Sequence, residues 1–457
     1  MTIAYFCCEY AVEDSLPQLY AGGLGVLAGD LVLEGREDMV FMGLGYGPKE
    51  KLKEAGFLEM RDMGDLWVLG KKYGGTTLFL LKDKGRVCEE IYGPDKETMI
   101  KQQMLLGMGG VRVLGELGIR PDVYHLNEGH TAFTIIGLIS QIGQIGKIVA
   151  TKHTIFSGAG LRLTKEEFQK YLGAEYEKFF EMGTHPSHPN EFSTTNFLLK
   201  TAQKASAVSQ LHAKYEKIAH PESRLIPITN GISVARWDQG ENHQENKIRL
   251  IRKIGEMGGD LDENILTVVW ARRLVEYKRP LLIFDQFDQL DQLVNNEKYP
   301  VQIIIAGKVN PLDEAGSKIA EELKRFASMP QFKTRIIFWG SYDLEKTKLL
   351  TAGADVWLNT PMVGREACGT SGMKAGLNGA LQVSTNDGWF AESGLDWVLD
   401  EGQTAESFYN LMEKEIVPMF YENKDGWAEK MRKTREVVAA RFTTKRMLEE
   451  YREKLYS

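Results

Sequence analysis

Short apolar segments rich in β-branched residues alternate with longer stretches of helical periodicity along almost the whole chain. Such alternation predicts parallel sheets with helices on both faces, because parallel strands are joined by crossover helices. In the first half, strands are predicted at 3–8, 40–44, 77–81, 123–126, 148–152, 207–210 and 226–229. In the second half they are predicted at 265–271, 301–306, 335–339, 356–359 and 381–384.

The pattern divides most simply into two α/β domains of similar size. The segment 238–246 is polar, lacks apolar periodicity and has the character of a linker. We therefore expect two Rossmann-like, doubly wound domains, at 1–236 and 237–436, that face each other across a cleft. The last segment, 437–457, carries apolar residues at helical spacing. It is expected to form a helix, with the first domain as the candidate surface for it to pack on.

Composition narrows the class of protein. The chain has 457 residues, of which 43% are apolar and 26% charged, and its formal net charge is −7. Without a basic block, nucleic acid is not an expected partner. Without an apolar run of about 18 residues, no membrane span is expected. The four cysteines have no metal-ligand spacing, so we expect reduced thiols, no metal site and a cytoplasmic protein.

The most informative motif is EACGTSGMK at 366–374, which opens a predicted helix after an apolar strand. Thr370 and Ser371 lie beside glycines at the helix start, where unpaired backbone N–H groups favour an anion. Lys374 follows within the first turns. A phosphate site next to a lysine that can form a Schiff base suits pyridoxal 5′-phosphate.

A second cationic motif, ARRLVEYKRP at 271–280, directly follows a predicted strand. Arginine and lysine are the usual side chains that hold phosphate groups, and the carboxyl ends of parallel strands are where ligands bind in such sheets. On spacing alone, a solvated helix face on which Glu276 pairs with a neighbouring cation explains the motif equally well.

Weaker signals occur in the first half and at the domain boundary. The glycine-rich turn AGGLGVLAGD at 21–30 permits close approach of a phosphate or a sugar, although tight packing of a strand against a helix also requires glycines. HLNEGH at 125–130, KHT at 152–154 and ITNGI at 228–232 place polar groups at strand ends, where they serve sugar hydroxyls or the structure itself. Neither a nucleophilic triad nor a carboxylate dyad stands out.

Together these segments resemble the α-glucan phosphorylases, in particular the short bacterial and archaeal members. The matching blocks, in the family's order, are AGGLGVLAGD, HLNEGH, KHT, ITNGI, ARRLVEYKRP, IAGK and EACGTSGMKAGLNGA. The resemblance implies a GT-B fold, pyridoxal 5′-phosphate as cofactor, and a carbohydrate substrate.

The resemblance also implies roles for individual residues. Lys374 corresponds to the lysine that carries the cofactor, and Arg272, Tyr342, Thr370, Ser371 and Gly372 to the residues around the cofactor phosphate. Lys278, Arg273 and His153 correspond to catalytic residues, the first two as a clamp for the substrate phosphate. The substrate-binding positions are Gly22, Gly23, Leu24, Asn230, Glu366, Cys368 and Gly369. Cys368 stands where serine is common in the family.

The implied reaction is retaining phosphorolysis of an α-1,4-glucan or maltodextrin by inorganic phosphate, which yields α-glucose 1-phosphate. In the family the cofactor's 5′-phosphate shuttles the proton. The implied partners are a glucan or malto-oligosaccharide, phosphate and glucose 1-phosphate, together with a second copy in a homodimer. Two alternatives are a GT-B glucosyltransferase that resembles the glycogen and starch synthases and uses a sugar nucleotide, and a degenerate glucan-binding protein.

Overall fold

The structure is a computed structural model that describes residues 1–143, 146–155, 160–184, 187–219, 221–240, 242–309, 313–341 and 343–457. The chain forms two compact units. The first comprises Met1–Thr229 together with Thr444–Ser457, and the second comprises Asn230–Thr443.

The unit boundaries differ from the predicted positions 236 and 436. Ile232 donates its N–H to the carbonyl of Phe442 at 3.0 Å and forms a bridge with Thr443. The segment that enters the second unit therefore runs beside the segment that leaves it. This pairing places both boundaries several residues from where the sequence predicted them.

The first unit contains one large sheet and a two-stranded ribbon. Its strands are β1 Ile3–Phe6, β2 Met39–Leu44, β3 Leu58–Asp62, β4 Leu66–Tyr73, β5 Thr76–Asp83, β6 Val123–Asn127, β7 Lys147–Lys152, β8 Arg162–Thr164, β9 Glu191–Ser193, β10 Lys204–Ala207 and β11 Ile226–Pro227. Over the described residues, the large sheet has the order β11-β10-β7-β6-β1-β2-β5-β4-β3, and β8 pairs with β9.

The first sheet is parallel except at one edge, where β3 and β4 run antiparallel to their neighbours. Neither β3 nor β4 was predicted from the sequence. In β3, Leu58 and Met60 alternate with charged residues, but the whole strand is exposed and contains no buried apolar run. The prediction of a strand at 207–210 was also wrong. β10 ends at Ala207, and a helix begins at Gln210.

Helices connect and cover these strands. Those that precede the boundary are α1 Gly23–Glu34, α2 Lys49–Glu54, α3 Lys96–Met104, α4 Gly110–Glu116, α5 Phe133–Ile142, α6 Lys165–Leu172, α7 Phe180–Gly183, α8 Thr194–Thr201 and α9 Gln210–Ala219.

The second unit has a parallel sheet of order β14-β13-β12-β15-β16-β17 among the described residues. Its strands are β12 Leu266–Ala271, β13 Val301–Ala306, β14 Ile336–Trp339, β15 Val356–Asn359, β16 Leu381–Thr385 and β17 Val398–Leu399. Its helices are α10 Val234–Trp237, α11 His243–Glu256, α12 Phe287–Val294, α13 Glu314–Ala327, α14 Leu344–Gly353, α15 Thr370–Leu377, α16 Phe390–Ser393, α17 Thr404–Leu411, α18 Val417–Glu422 and α19 Lys424–Arg441.

The last helix, α20 Thr444–Glu450, returns to the first unit. Tyr451, Leu455 and Tyr456 after it are buried in the first unit's core. The hydroxyl of Tyr456 contacts Nδ1 of His125 at 2.8 Å, and Nε2 of His125 contacts Thr151 at 2.7 Å. His125 therefore fastens the chain end to the sheet. Throughout the described part of the chain, no helix is both long and apolar enough to cross a membrane.

Candidate active site

The second unit gathers two cations on one carboxylate at the carboxyl end of its sheet. Arg272 directly follows β12 and is 5% exposed. Its Nη1 donates to Oε2 of Glu366 at 3.2 Å, and Nζ of Lys278 donates to the same oxygen at 2.9 Å. Glu366 belongs to the loop after β15, and β15 pairs with β12. The strand order therefore brings the EYKR and EACG motifs together.

This cluster perturbs the acidity of its members. Burial lowers the pKa of Lys278 to about 8, even though Glu366 opposes the shift. Burial favours the neutral form of Glu366, but Lys278 and Arg272 outweigh it and hold the pKa of that carboxyl below its usual value. Near neutral pH the site therefore contains an ionised glutamate and a lysine that is close to its titration point.

Helix α15 begins beside this cluster. Gly369 precedes it with φ +82°, a backbone conformation that favours glycine. Nη2 of Arg272 donates to Oγ of Ser371 in the first turn at 3.3 Å. Thr370 opens the helix. At Gly372, a Cβ would lie 2.7 Å from Oε1 of Gln382, so this glycine lets the helix pack closely on β16.

Lys374 is buried in the same helix, with 5% of it exposed. Its Nζ lies 4.2 Å from the ring centre of Trp237, close enough for a cation–π contact. Asn378 fixes this arrangement, since its Nδ2 donates to the carbonyls of Trp237 and Lys374, both at 2.8 Å. The lysine thus lies against an aromatic wall, one helical turn beyond Ser371.

Two other arginines of the ARRLVEYKRP motif are placed differently from Arg272 and Lys278. Arg273 is exposed, and it acts on Glu366 through its charge. Arg279 has φ +47° and donates to the carbonyls of Thr360 and Pro361 and to the hydroxyl of Thr404. Arg279 thereby holds the loop that follows β15, a structural role.

A turn after β16, which carried no site motif in the sequence, holds the Glu366 loop. Oδ2 of Asp387 accepts the backbone N–H groups of Glu366 at 2.9 Å and Arg365 at 3.2 Å. Burial, with a smaller contribution from Glu366, raises the pKa of Asp387 to about 6. The Asp387-Gly388 pair was visible as a turn signal, but its contact with the Glu366 loop depends on the pairing of β15 with β16.

The remaining predicted positions of this unit have mixed environments. Asn230 is buried at the unit boundary, and Cys368 is buried with its carbonyl accepting the N–H of Trp389 at 3.0 Å. Tyr342, expected near the cofactor phosphate, lies outside the described residues.

In the first unit, the glycine turn precedes α1. Gly22 and Gly23 have open space where a Cβ would stand, and the φ of Gly22, −161°, suits any residue. Protein packing therefore does not require these two glycines. Oε2 of Glu9 accepts the N–H groups of Ala21 and Gly22 at 2.7 and 3.1 Å and orients the turn. Leu24 is partly buried against the core.

His153 lies just after β7. Oδ1 of Asn127 accepts a hydrogen bond from its Nε2 at 2.7 Å, since Nδ2 of Asn127 donates to Sγ of Cys7. Burial and the nearby His212 lower the pKa of His153 to about 3. At neutral pH the imidazole is therefore neutral, which suits a hydrogen-bonding role better than proton transfer.

Glu128 is an acidic residue of the first unit to which the sequence pattern assigned no role. Its φ is +68°, which is rare outside glycine, and its carboxylate accepts the N–H groups of His153 and Thr154. The side chain therefore fixes the backbone that carries His153. The HLNEGH motif contained the signal, but the sequence did not reveal what Glu128 contacts.

Among solved structures, the chain is similar to the catalytic domain of starch synthase IV from Arabidopsis thaliana bound to ADP and acarbose. The TM-score is 0.75 and the identity 15%, over 99% of this chain and 98% of that one. The fold is therefore GT-B, the architecture of a large class of glycosyltransferases, and the predicted fold class is confirmed.

The model of the family described as carbohydrate phosphorylase matches residues 228–456. Maltodextrin phosphorylase from Thermococcus litoralis is 31% identical over all of this chain and 70% of its own length. Glycogen phosphorylase from Aquifex aeolicus is 29% identical over all of this chain and 86% of its own length. The chain belongs to the carbohydrate phosphorylase family. The predicted family and the assignment as a phosphorylase enzyme are thereby confirmed.

Proposed function

We propose that this protein is an α-glucan phosphorylase that cleaves an α-1,4-glucan or maltodextrin with inorganic phosphate and releases α-glucose 1-phosphate with retention. The observation that carries the proposal is the joint contact of Lys278 and Arg272 with Glu366, beside the start of α15. The maltodextrin and glycogen phosphorylases among the relatives support the substrate class.

The residues around α15 fit pyridoxal 5′-phosphate. Lys374 offers a buried primary amine against an aromatic wall, which suits a planar aldehyde. Arg272 and Ser371 offer donors one helical turn away. Nε of Arg272 is buried without an acceptor among the described residues, so the site holds a donor that an anion would satisfy.

In the proposed roles, Lys374 anchors the cofactor, while Arg272, Thr370, Ser371 and Gly372 hold its phosphate. When bound, pyridoxal 5′-phosphate supplies a phosphate that exchanges a proton with the substrate phosphate. Lys278 and Arg273 hold the substrate phosphate. Because two phosphate groups repel each other strongly in a site shielded from water, concentrated positive charge is required to hold both.

The reaction breaks the bond between C1 of the terminal glucosyl unit and the glycosidic oxygen. Inorganic phosphate gives its proton to the departing oxygen, and one of its own oxygens then bonds to C1 on the same face. The carboxylate of Glu366, together with Asn230 and the backbone at Cys368 and Gly369, binds the hydroxyls of the transferred sugar.

In the first unit we propose that His153 hydrogen-bonds the sugar as a neutral imidazole. The amide of Asn127 fixes its orientation, since that amide accepts from Nε2. The turn at Gly22, Gly23 and Leu24 gives its backbone to the phosphates, which the open space at the two glycines permits.

Two further expectations belong to the same proposal: the protein is cytoplasmic and forms a homodimer. Light scattering of the purified protein measures the second, with a monomer at every concentration as the contrary result.

The activity test mixes the purified protein with maltoheptaose and phosphate and follows the release of glucose 1-phosphate. Glucose 1-phosphate with maltodextrin, and a sugar nucleotide with maltodextrin, form the other two arms. Phosphorolysis with its reverse supports the proposal. Activity with the sugar nucleotide alone would establish a synthase. Inactivity in all three arms would contradict the proposed activity and favour the degenerate glucan-binding alternative.

The cofactor test uses near-ultraviolet and visible absorption, followed by borohydride reduction and peptide mapping. A chromophore fixed at Lys374, absent from Lys374→Ala, is the expected result. Lys278→Ala should retain the chromophore and lose phosphorolysis. A colourless protein that pyridoxal phosphate does not reconstitute would contradict the assignment.

A further inference from the structure

The loop that carries Glu366 is clamped from the turn after β16. Asp387 is 3% exposed. Its Oδ2 accepts the N–H groups of Glu366 and Arg365, and its Oδ1 accepts the N–H of Gly388 at 2.9 Å. A buried carboxylate with three backbone donors is well suited to hold a loop, because ionised acceptors form stronger hydrogen bonds than neutral ones.

A second contact joins the same two segments. The N–H of Trp389 donates to the carbonyl of Cys368 at 3.0 Å. Gly388 has φ +52°, and a Cβ there would lie 2.3 Å from that carbonyl oxygen. The Asp387-Gly388-Trp389 turn therefore grips the Glu366 loop on both sides of Glu366, at 365–366 and at 368.

Glu366 in turn positions the two cations. Its Oε2 accepts hydrogen bonds from Lys278 and Arg272, so the position of this oxygen determines where both positive charges lie. A displaced Glu366 backbone would move the carboxylate, and the cations would follow it or lose their partner.

We propose that Asp387 is a positioning residue for phosphate binding, which fixes the backbone of Glu366 so that its carboxylate holds Lys278 and Arg272 in place. The inference rests on the proposed function, since it assigns these cations to phosphate. Asp387 acts through Glu366 and contacts neither cation in the described structure.

The ionisation of Asp387 supports this role. Its pKa is raised to about 6, first by burial and also by the neighbouring charge of Glu366. A carboxyl whose folded pKa exceeds its unfolded value favours folding at low pH and loses that contribution as the pH rises through about 6. At neutral pH the charge therefore lowers stability, as is common for groups kept for function.

The test compares Asp387→Asn with the wild-type enzyme. The KM for phosphate should rise about tenfold, which corresponds to the loss of roughly one strong hydrogen bond. The KM for maltoheptaose should change less than about threefold. The ratio of wild-type to variant kcat/KM for phosphate should also depend on pH around 6, because Asp387 titrates and asparagine does not. Because phosphate itself titrates identically in both assays, its effect cancels in this ratio.

The matched control is Asp355→Asn. Asp355 is also a buried carboxylate, and it accepts the N–H of Thr267 at 2.8 Å and pairs with Lys247 at 2.6 Å. It immediately precedes β15, at the opposite end of that strand from Glu366. This control should lower thermal stability and leave both KM values unchanged.

The outcomes distinguish failure of the positioning role of Asp387 from failure of the proposed phosphorylase function. A folded Asp387→Asn enzyme with wild-type KM for phosphate and a ratio independent of pH would overturn the positioning role. So would a lower kcat with both KM values unchanged, as expected from a smaller fraction of folded protein alone. If the wild-type protein has no phosphorolysis, the proposed function fails. Binding of inorganic phosphate to both proteins by calorimetry then tests Asp387, with equal affinity as the contrary result.

Discussion

The ammonium of Lys278 lies 2.9 Å from a carboxylate oxygen of Glu366, across 88 positions of sequence. Burial brings the pKa of Lys278 to about 8, and Glu366 limits the shift. The charge that we assign to phosphate binding therefore depends on pH just above neutrality.

From this contact we predict that phosphate binding weakens at alkaline pH. The protonated lysine binds phosphate, so the KM for phosphate should rise above pH 8 by up to about tenfold per unit. Lys278→Arg keeps its charge and should flatten this rise. Measurements of both KM values from pH 7 to 9.5 check this. Parallel slopes in the two enzymes would show that another group titrates.

The stability of the protein should respond to the same group with a definite sign. The folded pKa lies below the ordinary value of 10.5, so the unfolded chain binds more protons between about pH 8 and 10.5. Lys278 should therefore raise the free energy of unfolding with pH over that window. Denaturant unfolding at several pH values gives the free energy of unfolding against pH for the wild type and Lys278→Met. The difference between these two slopes measures the contribution of Lys278.

Two glycines should separate a ligand role from a structural one. Gly23→Ala meets open space and sits in the first turn of α1, so stability should stay equal or rise by up to about 1 kcal/mol while phosphorolysis falls. Gly388→Ala should cost about 2–4 kcal/mol, because its Cβ meets a backbone oxygen at positive φ. Thermal unfolding measures the stability of both variants, and initial rates of phosphorolysis measure their activity. Full activity of Gly23→Ala would remove the ligand role.

Two buried asparagines form a second matched pair. Asn378 makes three hydrogen bonds, to Trp237, Lys374 and Gln239, so Asn378→Leu should cost about 3 kcal/mol. Both amide atoms of Asn359 are buried without a partner among the described residues. Asn359→Leu should therefore cost less than about 1 kcal/mol in the apoprotein. A comparable loss in both variants would indicate that ordered water satisfies Asn359.

Removal of the carboxylate that holds the cations should be costly. Glu366→Gln leaves Lys278 and Arg272 without their negatively charged partner. We expect the free energy of unfolding to fall by about 3–5 kcal/mol. Inorganic phosphate should recover more thermal stability in this variant than in the wild type, since it replaces the missing negative charge. The exposed pair of Glu429 with Arg432 supplies the control, and Glu429→Gln should cost less than about 0.5 kcal/mol. The absence of a phosphate response in both proteins would argue that the cations bind no anion.

Much of the fold was accessible from the sequence, because fully buried parallel strands require continuous apolar runs. The strands at 301–306 and 356–359 were predicted with their observed bounds. The antiparallel edge strand β3 was missed, since it is short and exposed and contains no such run. The apolar face of the last helix predicted that it packs on one of the two domains, with the first as the candidate. The points at which the chain crosses between the units depend on the pairing of Ile232 with Thr443.

The sequence alone determined the family blocks, the alternation of strands and helices, and the two motifs that carry positive charge. The local pattern could not distinguish which cations serve the site, because Arg272, Arg273, Lys278 and Arg279 give the same signal. Only the family resemblance assigned roles to the first three. Tertiary structure made that choice: the pairing of β12 with β15 brings Arg272 and Lys278 to Glu366, and the loop after β15 engages Arg279 through its carbonyls. Asp387 was likewise inaccessible, because its role lies in hydrogen bonds between neighbouring strand ends, and such contacts leave no pattern along the chain.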